Sequence, residues 1–150
     1  MRAVIQRVNY ARVKIDHKIH GEIQKGFLIL LGIEAADTQK DIDWLCQKIK
    51  KLRIFPDAGK AMNLSLEDVQ GKVLIVSQFT LHASTKKGNR PSFIKAARPE
   101  IAAPLYEAFL NTFEKESGIR PATGKFGAHM QVELCNDGPV TLIIDTKNKE

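Results

Sequence analysis

Two short polar segments end or interrupt apolar runs, and their residue types are the ones in this sequence best suited to chemistry. The first is Ser77-Gln78-Phe79-Thr80, directly after the apolar run KVLIV. Side chains and backbone amides at a strand end leave the sheet and can meet a ligand. Two hydroxyls and a carboxamide could contact a polar substrate, although a structural hydrogen-bonding role is the alternative. No base accompanies them, so a Ser-His-Asp triad is not predicted.

The second segment is Asn136-Asp137-Gly138-Pro139-Val140-Thr141, between two alternating runs. One interpretation is a hairpin turn, because Asn, Asp, Gly and Pro all favour turns. The other is that Gly138 and Pro139 present their backbone carbonyls as rigid acceptors, which a cis peptide bond would allow. The residue types alone favour the turn.

The periodicity along the chain predicts several strands to position these segments. Alternation begins with Ala3, Ile5 and Arg7, and the run FLILLGI after Gly26 indicates a buried strand. The other strands are expected in the stretches around Val13 and Ile15, Ile19 to Ile23, VLIVSQFTL, FGAHMQVELC and VTLIID.

Two main helices complete the prediction. Thr38 and Asp41 resemble a capping box that opens a helix closed by Pro56. A second helix is expected around Pro99 to Ser117, with its first regular turn beginning at Pro104. The sequence therefore predicts a single α/β domain over residues 1–150, with a mostly antiparallel sheet and two helices.

Composition narrows the class of protein. The net charge of +6 fits an anionic partner, and the loop that holds Lys86, Lys87, Arg90, Lys95 and Arg98 is suited to phosphate contact. No apolar run predicts a membrane span and no leader is evident, so a cytoplasmic protein is expected. Cys46 and Cys135 are expected to be buried thiols, and no metal or cofactor site is predicted.

The sequence resembles the D-aminoacyl-tRNA deacylase family along nearly its whole length. The similar segments are MRAVIQRV, MNLSLEDV, VSQFTL, KKGNRPSF, PLYEAF, GKFGAHM and NDGPVTLIID. Two of them, SQFTL at Ser77–Leu81 and N-x-G-P-V-T at Asn136–Thr141, are the signature pair of the family. Finding both segments in this order points to the family far more specifically than finding either segment alone.

The resemblance implies a homodimer that hydrolyses D-aminoacyl-tRNA, and glycyl-tRNA mischarged on tRNA(Ala). Gly138 and Pro139 would be cis and would enter the pocket of the other subunit as a chirality filter. Arg7 would hold this loop. Asn136, the first residue of the same motif, would also belong to the substrate-binding residues. Ser77, Gln78, Phe79 and Thr80 would form the pocket wall, and Phe126 and Met130 would enclose the 3′-terminal adenosine of the acceptor end.

Two nucleophiles remain open for the hydrolysis that the resemblance implies. The Thr80 hydroxyl could attack directly, or the 2′-OH of the terminal ribose could help to activate water. The second is preferred because no titratable side chain is evident at the site. Backbone N–H groups around Phe79 and Thr80 are expected to hold the oxyanion.

Two other functions compete with this one. A related deacylase could remove L-alanine from mischarged tRNA, but Phe79 and Arg7 resemble the D-specific branch. A nucleic-acid-binding protein could use the same basic surface without catalysis. The intact signature pair argues against a loss of catalysis.

Overall fold

The computed structural model describes residues 1–149. Its strands are β1 (Arg2–Ile15), β2 (Lys18–Ile23), β3 (Gly26–Gly32), β4 (Phe55–Pro56), β5 (Met62–Leu64), β6 (Lys72–Ser77), β7 (Ala122–Thr123) and β8 (Gln131–Asp145). The helices are α1 (Gln39–Lys50), α2 (Pro99–Ser117) and a short 3₁₀ helix (Phe79–His82). The predicted mixed α/β fold with two main helices is confirmed.

The long first strand organises the main sheet. β1 pairs antiparallel with β2 and β3, and its other edge pairs antiparallel with β8. β6 joins β3 in parallel, and β7 joins β6 in parallel. β6 leads into the first signature segment and β8 contains the second, so one sheet positions both segments.

The central strands are apolar because they are buried on both faces. Phe27, Ile29 and Leu31 of β3 enter the larger core, beneath α1 and α2. Leu28 enters a second core on the opposite face, which also holds Val8, Ala11, Val13, Ile23, Leu74 and Val76. The continuous run FLILLGI therefore reflects a strand covered from both sides.

The starts of the two helices test the sequence predictions differently. At α1 the Thr38 backbone N–H donates to the Asp41 carboxylate at 2.9 Å, which confirms the capping box. The predicted second helix, Pro99 to Ser117, is confirmed as α2, but its first regular turn begins at Pro99 and not at Pro104, which lies inside the helix. Both Pro104 and Glu100, whose carbonyl loses its i+4 donor, are exposed, so water can satisfy that carbonyl.

Three smaller expectations are corrected. The strand expected over VLIVSQFTL ends at Ser77, and the chain then turns into the 3₁₀ helix. The strand expected from Phe126 begins only at Gln131, since residues 126–130 form a turn. Cys46 is buried, but Cys135 on β8 is partly exposed. No helix within residues 1–149 is long and apolar enough to span a membrane.

Candidate active site

A cavity of about 550 Å³ opens where β3 and β6 end. Five residues predicted for the site line it: Ser77, Gln78, Phe79, Phe126 and Met130. The other walls come from the start of α2 and from the turn at residues 126–130. The cavity residues therefore come from segments that lie about fifty residues apart in the sequence.

The SQFT segment forms the cavity wall because β6 stops at Ser77. The Gln78 backbone N–H donates to the Leu31 carbonyl at 2.8 Å, which ties the turn to the end of β3. The Gln78 side-chain amide donates to the Thr80 hydroxyl oxygen at 2.5 Å. The Thr80 hydroxyl is therefore held by an amide and not by a general base.

The first two amides of the 3₁₀ helix belong to Phe79 and Thr80. Such amides have no acceptor within their own helix. Neither donates to a backbone carbonyl within residues 1–149. They are available as a pair of donors for an external oxygen.

The opposite wall rests on Tyr106 of α2. Its hydroxyl donates to the Ile75 carbonyl at 2.8 Å, and its ring centroid lies 6.0 Å from that of Phe126. Burial raises the pKa of Tyr106, so this hydroxyl stays a donor at neutral pH. Gly124 leaves room for Met130, because a Cβ at Gly124 would lie 2.4 Å from the Met130 Sδ. These contacts fix Phe126 and Met130 against the end of β6.

The second signature segment forms an excursion within β8 and not the hairpin turn that the residue types favoured. Gln6 pairs with Thr141 and Val8 pairs with Asn136, so residues 137–140 face the single residue Arg7. β8 continues antiparallel to β1 on both sides, without reversing. The Gly138–Pro139 peptide bond is cis, as the resemblance implied. Both residues are exposed.

Arg7 and Asn136 hold the base of this excursion. The Arg7 Nε lies 2.9 Å from the Asp137 carboxylate and donates to the Asp137 carbonyl at 3.2 Å. The buried guanidinium also donates to the Ile54 carbonyl. The Asn136 side-chain amide donates to the carbonyls of Arg7 at 2.9 Å and Val140 at 3.2 Å. The segment predicted to be held by Arg7 does contact it.

The predicted site residues therefore fall into two groups within one chain. Ser77, Gln78, Phe79, Phe126 and Met130 line the cavity, whereas Arg7, Thr80, Asn136, Gly138 and Pro139 do not. Thr80 lies directly beside the cavity through its bond to Gln78. The Gly138–Pro139 step belongs to another exposed part of the surface.

The side chains of Phe93, Arg98 and His129 also line the cavity, and the sequence did not place them there. His129 and Arg98 line the cavity, which corrects the expectation that no titratable side chain lies at the site. Phe93 also lines it and packs edge-on against Phe79, with ring centroids 5.1 Å apart. The segments GKFGAHM and KKGNRPSF signalled this region, but not which side chains face inward. Among the described residues, no group of three His, Cys, Asp or Glu side chains could hold a metal ion.

Residues 4–145 match the family model described as D-Tyr-tRNA(Tyr) deacylase, so the chain belongs to this family. It is 61% identical to a D-aminoacyl-tRNA deacylase of Flavobacterium psychrophilum, over 100% of both chains. A D-aminoacyl-tRNA deacylase of Bacteroides fragilis is also 61% identical over 100% of both chains.

Two solved structures share the architecture. One, described as a c-Myc DNA unwinding element binding protein, is 42% identical with a TM-score of 0.90, covering 97% of this chain and 98% of that one. A probable eukaryotic D-amino acid tRNA deacylase is 18% identical with a TM-score of 0.82, covering 95% of this chain and 97% of that one. The second likeness concerns the fold alone.

Proposed function

We propose that this protein is a D-aminoacyl-tRNA deacylase. It hydrolyses the ester between a D-amino acid and the 3′-terminal ribose of tRNA, and it also removes glycine mischarged on tRNA(Ala). The observation that carries this proposal is the family match over residues 4–145, which includes both the cavity segment and the Gly-Pro segment. The 61% identity to proteins named D-aminoacyl-tRNA deacylase supports it.

Residues 1–150 act as one deacylase domain, and two copies form a homodimer. The Gly138–Pro139 step lies outside the cavity of its own chain and is exposed, so it is free to enter a second copy. The cavity then receives Gly138 and Pro139 of the partner subunit. Arg7 and Asn136 hold that step at its base. Because charged tRNA is used at ribosomes, the enzyme acts in the cytoplasm.

Selectivity comes from the carbonyls of the Gly138–Pro139 step. They accept hydrogen bonds from the α-amino group and leave no space for an L side chain. Fixed polar groups and rigid walls discriminate more strongly than a loosely matched pocket. Main-chain carbonyls ignore side-chain identity, so many D-amino acids are accepted. Glycine enters because it has no side chain to clash.

The free amides of Phe79 and Thr80 stabilise the oxyanion, and loss of one such donor costs about 10²–10³ in rate. Phe126 and Met130 enclose the terminal adenosine, and Ser77 and Gln78 form the wall. The 2′-OH of the ribose helps to activate the attacking water. The Thr80 side chain has a positioning role, because its hydroxyl accepts a hydrogen bond from the Gln78 amide and not from a base.

The proposed activity is tested by deacylation of tRNA charged with D-tyrosine, L-tyrosine or glycine. The D-tyrosyl and glycyl esters are expected to be cleaved, while the L-tyrosyl ester stays intact. Equal cleavage of both enantiomers would overturn the chirality mechanism. Preferential cleavage of L-alanyl-tRNA would indicate the relaxed deacylase instead.

The nucleophile is tested with Thr80→Ala and with a tRNA that ends in 2′-deoxyadenosine. Thr80→Ala is expected to retain measurable turnover, whereas the 2′-deoxy substrate is expected to lose most of its rate. His129→Ala is the control for a side-chain base, and it is expected to keep kcat within about threefold. Complete loss in Thr80→Ala with binding intact, together with an acyl-enzyme trapped in the wild type, would assign the attack to Thr80. Loss in His129→Ala would assign the base to His129.

A second candidate is a nucleic-acid-binding protein without catalysis. It is favoured by the 42% identity to the c-Myc DNA unwinding element binding protein and by the net charge of +6. Tight binding of nucleic acid with no turnover of any aminoacyl ester would support this candidate. Turnover of D-tyrosyl-tRNA would exclude it as the sole function.

A further inference from the structure

Residues 84–98, which we call the basic loop, form the most one-sidedly charged part of the surface. The loop carries five cations and no Asp or Glu: Lys86, Lys87, Arg90, Lys95 and Arg98. All five residues are exposed. Like charges held this close repel one another, so the arrangement favours a bound polyanion.

The five cations are not consumed by the protein itself. No ion pair or side-chain hydrogen bond joins any of them to a group within residues 1–149. Other basic side chains are paired: Arg2 lies 2.8 Å from Asp145, and Lys147 lies 2.9 Å from Asp41. The charge of the basic loop is therefore available to an external ligand.

The basic loop is attached to the rim of the cavity at both ends. It follows the 3₁₀ helix, and Ser84 and Ser92 exchange backbone hydrogen bonds of 2.8 and 2.9 Å. Beyond that bridge, Phe93 and Arg98 line the cavity. The tip between Ser84 and Ser92 projects at most about 14 Å from its base, since four residues lead from Ser84 to the midpoint Gly88 and an extended residue spans at most about 3.6 Å. Its reach is about three or four nucleotides, at 3.4 Å per nucleotide of one strand.

We propose that the basic loop binds the phosphates of the RNA strand that leads to the ester, within the acceptor end. This inference rests on the proposed function, because it takes the cavity as the place of the terminal adenosine. RNA is favoured over an acidic protein because the loop and the cavity are continuous. A substrate held in the cavity extends its own phosphodiester chain past the loop. Phosphate contacts carry no sequence information, so the loop adds affinity for any tRNA.

The experiment compares two substrates of the same D-amino acid: D-tyrosyl-tRNA and 3′-O-D-tyrosyl-adenosine, which has no phosphates. The variant K86A/K87A/R90A removes three cations that lie outside the cavity lining. For the tRNA, kcat/KM is expected to fall at least about tenfold at moderate salt. The slope of log kcat/KM against log salt is expected to become shallower by about 2 to 3, since each lost phosphate contact contributes about 0.7–0.9. For the adenosine ester, kcat/KM is expected to stay unchanged.

The matched control is K40A/K51A, which removes two exposed lysines from the region of α1. It is expected to leave both substrates and the salt slope unchanged. A D-tyrosyl minihelix of the acceptor stem is expected to show the full loop effect. Three results would overturn the proposal: an unchanged rate on tRNA, an equal loss on both substrates, or an equal effect of the control.

Failure of the proposed function would be seen separately. If the wild type cleaves neither ester, fluorescence anisotropy with uncharged tRNA still measures the loop directly. The triple variant is then expected to weaken binding with the same change of salt slope. Unchanged tRNA binding in the triple variant would refute the loop proposal on its own.

Discussion

Arg7 is the residue on which the geometry of the β8 excursion depends most directly. Its guanidinium is buried and reaches both Asp137 and the Ile54 carbonyl. Arg7→Met would leave these partners without a donor. We expect a loss of about 1–3 kcal/mol in the free energy of unfolding, together with loss of D-specific turnover. Urea unfolding and the D-tyrosyl-tRNA assay measure the two effects.

Arg12→Met is the matched control for Arg7. Arg12 lies on the same strand and pairs with Glu133 at 2.6 Å, but both side chains are more than one-third exposed. The urea midpoint and the turnover are expected to stay close to those of the wild type. If Arg7→Met behaved like Arg12→Met, Arg7 would have no special role in holding the excursion.

At the residue scale, the sequence indicated which segments to consider better than it indicated which side chains face the cavity. The family resemblance directed attention to SQFTL, whose first three residues line the cavity, and to NDGPVT, which lies outside the cavity of its own chain. The side chains that face the cavity from other elements, such as Arg98 and His129, carry no local pattern that distinguishes them from other polar surface residues. Their position depends on where α2 begins and on how residues 126–130 turn, which are tertiary outcomes.

At the element scale, the stability contributed by the capped N-terminus of α1 is expected to depend on pH. Burial raises the pKa of the Asp41 carboxyl, but hydrogen bonds from Thr146, Lys147 and Thr38 outweigh it and hold the pKa well below its ordinary value. This stabilisation is complete above pH 3.8, the ordinary value, and is lost as the pH falls through the folded pKa. Asp41→Asn is expected to cost about 1 kcal/mol at pH 7 and progressively less below pH 3.8.

The measurement is urea unfolding of wild type and variant across this pH range. Asp43→Asn is the control on the same helix, since Asp43 is exposed and accepts a hydrogen bond from Gln39 at 2.8 Å. Its difference from the wild type should not depend on pH in the same way. A difference for Asp41→Asn that stays constant down to the most acidic point would contradict the argument.

The parallel pairing of β3 with β6 depends on Gly26. A Cβ there would lie 1.8 Å from the Lys72 carbonyl oxygen, which is backbone and cannot move aside cheaply. Gly26→Ala is therefore expected to destabilise the fold by about 3 kcal/mol, measured by thermal or urea unfolding.

Gly59→Ala serves as the comparison for Gly26→Ala. Its Cβ would lie 3.3 Å from the flexible Asp57 side chain only. We expect a much smaller effect on unfolding. Equal effects of the two substitutions would show that close packing at Gly26 is unimportant.

The elements themselves were largely predictable because their signals are local. Period-2 alternation indicated β1 and the second half of β8, and the capping box indicated α1. The excursion in β8 was not predictable from residue types, since Asn, Asp, Gly and Pro signal a turn whether or not the chain reverses. Only the pairing with β1 on both sides decides that the strand continues. The expectation that the first regular turn of α2 begins at Pro104 was wrong for a related reason, because the effect of a proline depends on the exposure of Glu100, whose carbonyl loses its donor.

At the scale of the whole molecule, the proposed site requires two chains. We expect light scattering to give a mass of twice 16.8 kDa. Gln78→Ala subunits lack a working cavity, and Pro139→Gly subunits lack the filter. Both variants are expected to be inactive, the second because the carbonyls of this step also bind the α-amino group of the substrate. Mixed and refolded together, they are expected to recover about one quarter of wild-type activity, because half of the dimers then carry one complete site of two.

The two unmixed variants are the controls for this complementation. Each is expected to stay inactive after the same refolding. A monomeric mass, or no recovery in a mixture shown to contain heterodimers, would contradict the shared site.

The excursion at residues 137–140 has a consequence for engineering this scaffold. β8 pairs with β1 on both sides of the excursion, with a shifted register, and Val140 anchors the end of the excursion in the core. Gly138 and Pro139 can therefore be exchanged for other residues while Asp137 keeps its ion pair with Arg7 and the sheet stays assembled. A library confined to Gly138 and Pro139 would change the substrate preference and leave the unfolding temperature nearly constant.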